Sequence, residues 1–343
     1  MNNTLSINNK LSYHEIKELI NFPLEELSKK SREITENIHG KKILLRGLIE
    51  FSNYCSADCL YCGIRKSNKN ADRYRLTEND VCETVKKGYA QGLKTFVLQS
   101  GEDKFFTTPR LCVLISKIKD ITNNEAAITL SCGIRSKSDY KELFDAGADR
   151  YLLRFETADP DLHKYLRNSI EIEERLRALY DLKEVGFQLG SGFMVGLPGE
   201  TEETLIKNII LSMELDMDMG GIGPFIPHSD TPLADSQQLP IELSIRATAL
   251  LRIALPYSHI PATTAAGSLD PFGREKMISA GANVLMPNIT PMDYKKFYLL
   301  YPGKICLDES GIECIGCLSG RVKSLERELS FERGDALRLN LHS

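Results

Sequence analysis

The run Ile43-Leu44-Leu45-Arg46-Gly47-Leu48-Ile49-Glu50-Phe51-Ser52 leads through Asn53-Tyr54 into Cys55, Cys59 and Cys62. The first ten residues are apolar and strand-like, and the cysteines follow in the loop such a strand would enter. Their spacing is Cys-x3-Cys-x2-Cys. Three thiolates are one short of the four that saturate a [4Fe-4S] cube, so a cluster held here keeps one iron open to something other than protein. A structural zinc site is the alternative reading. Zinc usually takes four protein ligands, commonly from two Cys-x2-Cys or Cys/His pairs, and no second pair lies close in sequence.

Working outward, apolar β-rich runs recur at 95–100, 126–132, 150–157, 188–197, 219–227, 259–265 and 282–288. Amphipathic segments between them carry start signals, such as Thr77 three residues before Asp80, and Thr108 ahead of Pro109. Gly92, Gly147, Gly186 and Gly281 stand where helices should hand over to strands. Eight strands alternating with helices over roughly 250 residues predict an α/β fold of the (β/α)8 TIM-barrel type. A doubly wound open sheet is the competing arrangement. The polar residues favour the barrel, because they fall at the strands' C-terminal ends, where barrels collect function. Gln99, Ser100 and Glu102 close the second strand, Ser131 the third, and Arg154 and Glu156 lie late on the fourth. Thr263 and Thr264 finish the seventh and Asn288 the eighth, so these residues are expected to line one mouth.

Residues 1–40 read as an N-terminal helical extension, with Ser12 capping a short helix and Pro23 opening a longer one that ends near Gly40. The barrel is expected over 41–290. A C-terminal extension, 291–343, is richer in turns and carries a second cysteine group, Cys306, Cys314 and Cys317.

With 343 residues the chain can bury a sizeable core, and 42% hydrophobic and 26% charged residues are globular values. A net charge of −4 gives no basic face for nucleic acid, so a small molecule is the expected partner. The N-terminus lacks a secretion pattern, and no apolar stretch of about 18 residues crosses a membrane, so a cytoplasmic protein is expected. In that compartment nine cysteines, six of them in two triads, point to metal or redox chemistry over disulfides. Cys82 and Cys112 lie beside apolar neighbours in helical segments and are expected to pack. Arg46 interrupts the first strand's apolar body. Inside a barrel it needs a partner, which a substrate carboxylate would supply; the alternative is that it points outward and snorkels to water.

With Tyr61 just before the third cysteine, the motif resembles that of the radical S-adenosylmethionine (SAM) superfamily. The resemblance implies that the open iron chelates the amino and carboxylate groups of SAM and that the reduced cluster breaks a carbon–sulfur bond, giving a 5'-deoxyadenosyl radical. It implies SAM contacts from Tyr61, Gln99, Ser100, Glu102, Glu156, Arg175 and Met194. Glu156 would take the ammonium or a ribose hydroxyl, and Arg175 the carboxylate. Ser100-Gly101-Glu102 would stand for the Gly-Gly-Glu segment at the amino group, and Gly192 to Gly199 for the stretch near adenine. Without the resemblance, Glu156 reads as a rim salt bridge and Arg175 as part of a solvated helix face.

Longer strings narrow the likeness. Leu98–Asp103, Arg154–Ala158, Gly221–His228, Ile260–Ala265 and Tyr301–Cys306 arrive in the order found in a family of [FeFe]-hydrogenase maturases. The resemblance implies a substrate that is a small, cysteine-derived iron complex bearing CO and cyanide, with other hydrogenase maturases and an external electron donor as partners. Arg46, Thr129, Arg154, Thr263, Thr264, Ala265, Met286, Tyr298 and Tyr301 would line its cavity. Cys306, Cys314 and Cys317 fit members with an accessory cluster, [4Fe-4S] or [2Fe-2S]; a zinc knot or metal-free thiols are the alternatives. A methylornithine-synthase-like mutase shares much of the barrel but is not expected to carry that second group. A biotin-synthase-like sulfur donor would need more cluster cysteines inside the barrel, where only Cys132 ends a strand. A non-catalytic iron–sulfur or zinc module is the reading from a different class.

Overall fold

The computed structural model describes residues 10–337. Capping chemistry places its helices. Ser12 accepts a hydrogen bond from the Glu15 backbone while Glu15 reaches back to the Ser12 N–H, which opens α1 (Tyr13–Ile20). Pro23 precedes α2 (Leu24–His39), which stops at Gly40. The chain continues through β1 (Lys42–Leu45), β2 (Gly47–Ser52), α3 (Glu78–Ala90), β3 (Thr95–Ser100), α4 (Thr108–Ile121), β4 (Ala127–Ser131) and α5 (Lys137–Asp145). Next come β5 (Arg150–Leu152), α6 (Pro160–Leu166), α7 (Ile172–Val185), β6 (Gln188–Ser191), β7 (Met194–Val195), α8 (Glu202–Leu215), β8 (Met219–Gly220) and β9 (Gly223–Pro224). The last elements are α9 (Ile241–Ala254), α10 (Thr264–Leu269), α11 (Gly273–Ser279), β10 (Val284–Leu285), α12 (Met292–Lys295), α13 (Gly311–Lys323) and β11 (Glu328–Ser330).

Six strands pair in parallel in the order β2-β3-β4-β5-β6-β8. Single backbone contacts close the ring. The Gly220 N–H donates to His259 O at 2.9 Å, Asn283 N to Ile260 O at 2.8 Å, and Ala262 N to Val284 O at 2.9 Å. Leu48 then takes both sides of the last joint, donating to Pro287 O and accepting from Ile289 N, each at 2.9 Å. The neighbours around the ring therefore follow chain order, as in a (β/α)8 barrel; an open sheet would leave two edges. The seventh and eighth strands are shorter than the apolar runs suggested. Pro261 and Pro287 have no N–H to give the ladder, and Thr264 already begins α10. The first run is likewise broken at Arg46 into β1 and β2.

The C-terminal segment does more than extend the barrel. β11 pairs in parallel with β1, and the residues after it cross the barrel floor. There the fully buried Arg150 donates to the carbonyls of Arg333 and Gly334, each at 2.9 Å, and to the Asp335 carboxylate at 2.8 Å. Gln188 Nε2 reaches the same carboxylate at 2.8 Å and Arg333 Nε at 2.7 Å. Burial pushes the Asp335 carboxyl up, but the Gln188 hydrogen bond and the charges of Arg150 and Arg333 outweigh it and hold its pKa below the ordinary value. Asp335→Asn is expected to cost about 2 kcal/mol, less than the roughly 3–5 kcal/mol of a fully buried pair because the carboxylate keeps some solvent. A depressed carboxylate pKa stabilises the fold above the unfolded value of about 3.9 and loses that contribution as the pH falls through the folded one. The gap between wild type and Asn in urea unfolding should therefore narrow below about pH 4; a gap unchanged down to about pH 3 would remove Asp335 from this role.

Among the described residues no helix is long and apolar enough to cross a membrane.

Candidate active site

The loop between β2 and α3 is wired by its own side chains before any metal is considered. The Asp58 carboxylate accepts from Arg65 Nε at 2.8 Å, Arg65 Nη2 at 2.7 Å, the Ser67 N–H at 2.9 Å and the Ser67 hydroxyl at 2.8 Å. Arg73 donates to the carbonyls of Asn53 (2.6 Å), Ile64 (2.8 Å), Arg65 (2.7 Å) and Asn68 (3.1 Å). Asn53 ties the loop to the C-terminal segment through Phe297 O at 2.7 Å. This scaffold presents Cys55, Cys59 and Cys62 to the barrel mouth, where all three line one cavity.

Burial pushes all three thiols above the ordinary range, and at Cys62 the neighbouring Cys59 and Cys55 add to the shift. Such a trio resists ionising until a cation arrives, and thiolates are the ligands iron–sulfur clusters take, so the donor set fits a cluster. Ser100-Gly101-Glu102 cradles the first cysteine. The Glu102 N–H points to Cys55 Sγ at 3.4 Å, and Ser56 N donates to Glu102 O at 2.9 Å. A Cβ on Gly101 would stand 2.3 Å from Tyr54 O and 2.8 Å from Cys55 Cβ. Gly101→Ala is thus expected to displace Cys55 and to cut bound iron per chain at least about twofold with helical content unchanged, a misplacement of the kind that costs metal sites about 10–100-fold in affinity. Iron analysis after anaerobic reconstitution checks it; full iron loading would count against this contact.

The cavity has a volume of about 360 Å³, within the range of small-molecule sites. It runs from the three cysteines past Tyr61, Gln99, Ser100, Glu102, Glu156, Arg175 and Met194. Arg175 is not on a solvated face: it is 5% exposed, with Nη2 3.9 Å from Glu102 Oε1. Met194 and Tyr61 meet in a small apolar cluster with Leu166, Leu197, Phe225 and Leu233, which walls one side. Farther in, Arg46, Thr129, Arg154, Thr263, Thr264, Ala265, Met286, Tyr298 and Tyr301 all line the same space.

Part of the cavity wall is polar and unsatisfied. Arg46 Nε, Thr129 Oγ1, Arg154 Nε and Nη2, and Glu156 Oε2 are buried without a hydrogen-bond partner. Arg154 Nη2 and Glu156 Oε2 are 3.2 Å apart, yet the pair is not aligned for a hydrogen bond. Orphaned polar atoms converging on one cavity mark a place for a polar ligand. Glu156 also holds φ at +69°, a left-handed conformation that costs a non-glycine residue about 1–3 kcal/mol. Its neighbour Phe155 is fully buried and stacks on Phe193, so only the strained residue turns toward the cavity.

Three features of the site were not visible in the sequence. Arg167 places Nη1 2.8 Å from Cys59 Sγ and Nη2 3.3 Å from Glu102 Oε1. Lys304 forms a buried pair with Glu50 at 2.5 Å, completed by Asn288 Nδ2 at 2.8 Å, which ties the segment after Tyr298 to β2. The second cysteine group is also different from the expected triad. Cys306, Cys314 and Glu309 bring their ligand atoms within 4.8 Å of one another. Cys317 is exposed instead, while the buried stripe of α13 runs through Cys314 and Leu318, one turn apart. A hydrogen bond from the Cys314 thiol, helped by Arg274, pulls the Cys306 thiol down.

Residues 49–209 match the radical SAM superfamily. Over 315 residues the chain is 45% identical to the [FeFe] hydrogenase maturase subunit HydE of Thermotoga maritima, covering 92% of this chain and 90% of that protein. It is 28% identical over 276 residues to the 3-methylornithine synthase of Methanosarcina acetivorans, covering 79% and 76%. In three dimensions it superposes on methylornithine synthase (PylB) with a TM-score of 0.83 over 94% of this chain and 95% of that one, at 24% identity, a likeness of fold.

Proposed function

This chain belongs to the radical SAM superfamily, and on that premise we propose that it is an [FeFe]-hydrogenase maturase. Cys55, Cys59 and Cys62 hold a [4Fe-4S] cluster with one open iron, and Tyr61, Gln99, Ser100, Glu102, Glu156, Arg175 and Met194 surround SAM. Once bound, such a cluster would supply the single electron that cleaves SAM into methionine and a 5'-deoxyadenosyl radical. Every other task falls to the chain.

The carrying observation is the single cavity that joins the three cysteines to Arg46 and Arg154, whose guanidiniums keep buried nitrogens without a hydrogen-bond partner. A cysteine-derived iron complex bearing CO and cyanide offers a carboxylate and anionic ligands to those guanidiniums and to the Thr129 hydroxyl. Leu48, Val97, Met219 and Val284 close the surrounding wall and keep water from a reactive radical. Thr263 caps α10 through the Ala266 N–H, which orients the Thr263-Thr264-Ala265 corner of the cavity. The other hydrogenase maturases and an external electron donor are the partners this reading requires. An accessory cluster at Cys306 and Cys314, with Cys317 or Glu309 as further ligand, belongs to the same reading, as does a reducing cytoplasmic setting.

Anaerobically reconstituted protein, given reductant and SAM, should release 5'-deoxyadenosine. It should also replace the corresponding maturase when apo-hydrogenase is activated in vitro with the other maturases. Cleavage of SAM without hydrogenase activation, together with formation of 3-methylornithine, would transfer the assignment to the mutase.

A further inference from the structure

Arg167 is the one cation among the described residues that touches a sulfur of the Cys55, Cys59 and Cys62 group, through Nη1 at 2.8 Å from Cys59 Sγ. Its side chain is 7% exposed. The backbone around it is built to hold it there. Arg167 caps the C-terminus of α6, donating to His163 O at 2.9 Å, and the next two residues, Asn168 and Ser169, both take left-handed φ, +53° and +72°. Both donate back into the last turn of α6, Asn168 N to Tyr165 O at 3.2 Å and Ser169 N to Lys164 O at 2.8 Å, which fixes where the chain leaves the helix. The cluster loop is docked on the same helix end, with Leu60 N donating to Leu166 O at 2.9 Å. Cys59 and Arg167 are therefore held to a common anchor.

We propose that Arg167 sets the reduction potential of the cluster by donating to the Cys59 sulfur, with Glu102 as a counterweight. This rests on the cluster assigned above. Reduction adds one electron, taken from an external donor, to a group whose negative charge is spread over its sulfurs. A guanidinium fixed on one sulfur in a dry site stabilises that added charge and raises the potential. The Glu102 carboxylate, 3.3 Å from Arg167 Nη2, takes back part of the effect. Arg167 is thus a positioning residue that acts through Cys59, and the two side chains should shift the potential in opposite directions.

The test is a redox titration of the reconstituted holoprotein without SAM, followed by electron paramagnetic resonance, alongside iron and sulfide analysis. Arg167→Met should keep full iron and lower the midpoint by about 59 mV, a tenfold shift in a one-electron equilibrium. Arg167→Lys keeps the charge but loses the rigid fork, and should fall between. Glu102→Gln should raise the midpoint. The proposal is overturned if Arg167→Met, or Arg167→Lys where Met loses iron, titrates with wild-type protein, or if the Met and Gln variants move the same way. Wild-type protein that never takes up iron would instead overturn the cluster assignment itself.

Discussion

Arg46→Met should produce a protein that is more stable than wild type and nearly inactive in maturation. Arg46 is 5% exposed, and its neighbours are the Met219 sulfur at 2.7 Å and Gly334 O at 3.4 Å. Burial first, and then the charge of Arg150, drive its pKa well below the usual guanidinium value, with Asp335 the opposing attraction. A cation in that position is held against its own solvation, and a methionine of similar length removes the conflict. The expected gain is about 1–3 kcal/mol, read as a rise of several degrees in Tm. The loss is larger in effect. Removing a charged partner from a buried anion costs about 3 kcal/mol, so substrate-dependent turnover should fall roughly a hundredfold, while 5'-deoxyadenosine release without substrate persists. This pattern is the stability–activity trade-off of a functional site. A destabilised Met variant with normal maturation would make Arg46 a structural residue.

Cys59→Ala should abolish both cluster iron and SAM cleavage while leaving the fold intact. The loop around it is held by Asp58, Arg65, Arg73 and Asn53, and none of those bonds involves sulfur. Stability should therefore stay within about 1 kcal/mol of wild type. Loss of a ligand from a site with only three exceeds the roughly 10–100-fold cost of an outer contact, so 5'-deoxyadenosine should drop below detection. Cys82→Ala, in half-buried α3, is the control and should keep its iron. Iron retained in Cys59→Ala, or lost equally in Cys82→Ala, would contradict the assignment of the cluster to the β2–α3 loop.

Much of this was readable in the chain because it is encoded within a few residues. Ser12 with Glu15 and Thr77 with Asp80 form the caps their spacing announces. Gly92, Gly147, Gly186 and Gly281 all take positive φ, from 95° to 110°, at the ends of helices. The residues placed at strand ends do gather in one cavity. What was hidden depended on partners far away. No motif marks Arg167, and the only hint is the Asn168-Ser169 pair beside it, both prone to turns. The 331–337 segment carries no strand pattern, yet its backbone carbonyls and Asp335 meet Arg150 and close the barrel floor. Cys314 and Cys317 look equivalent in sequence, and the packing of α13 separates them.

Local signals along the chain set the order of eight strands, the places where helices start and stop, and a trio of thiols one ligand short of a full cube. These follow from hydrophobic period, capping and spacing, which act over a few residues along the chain. Which charges share a dry space was left to long-range packing: Arg46 beside Arg150 and Asp335, Arg167 on Cys59, Glu309 beside Cys306. Those neighbours come from different strands and loops, and their energies depend on distance and burial, which no local pattern specifies.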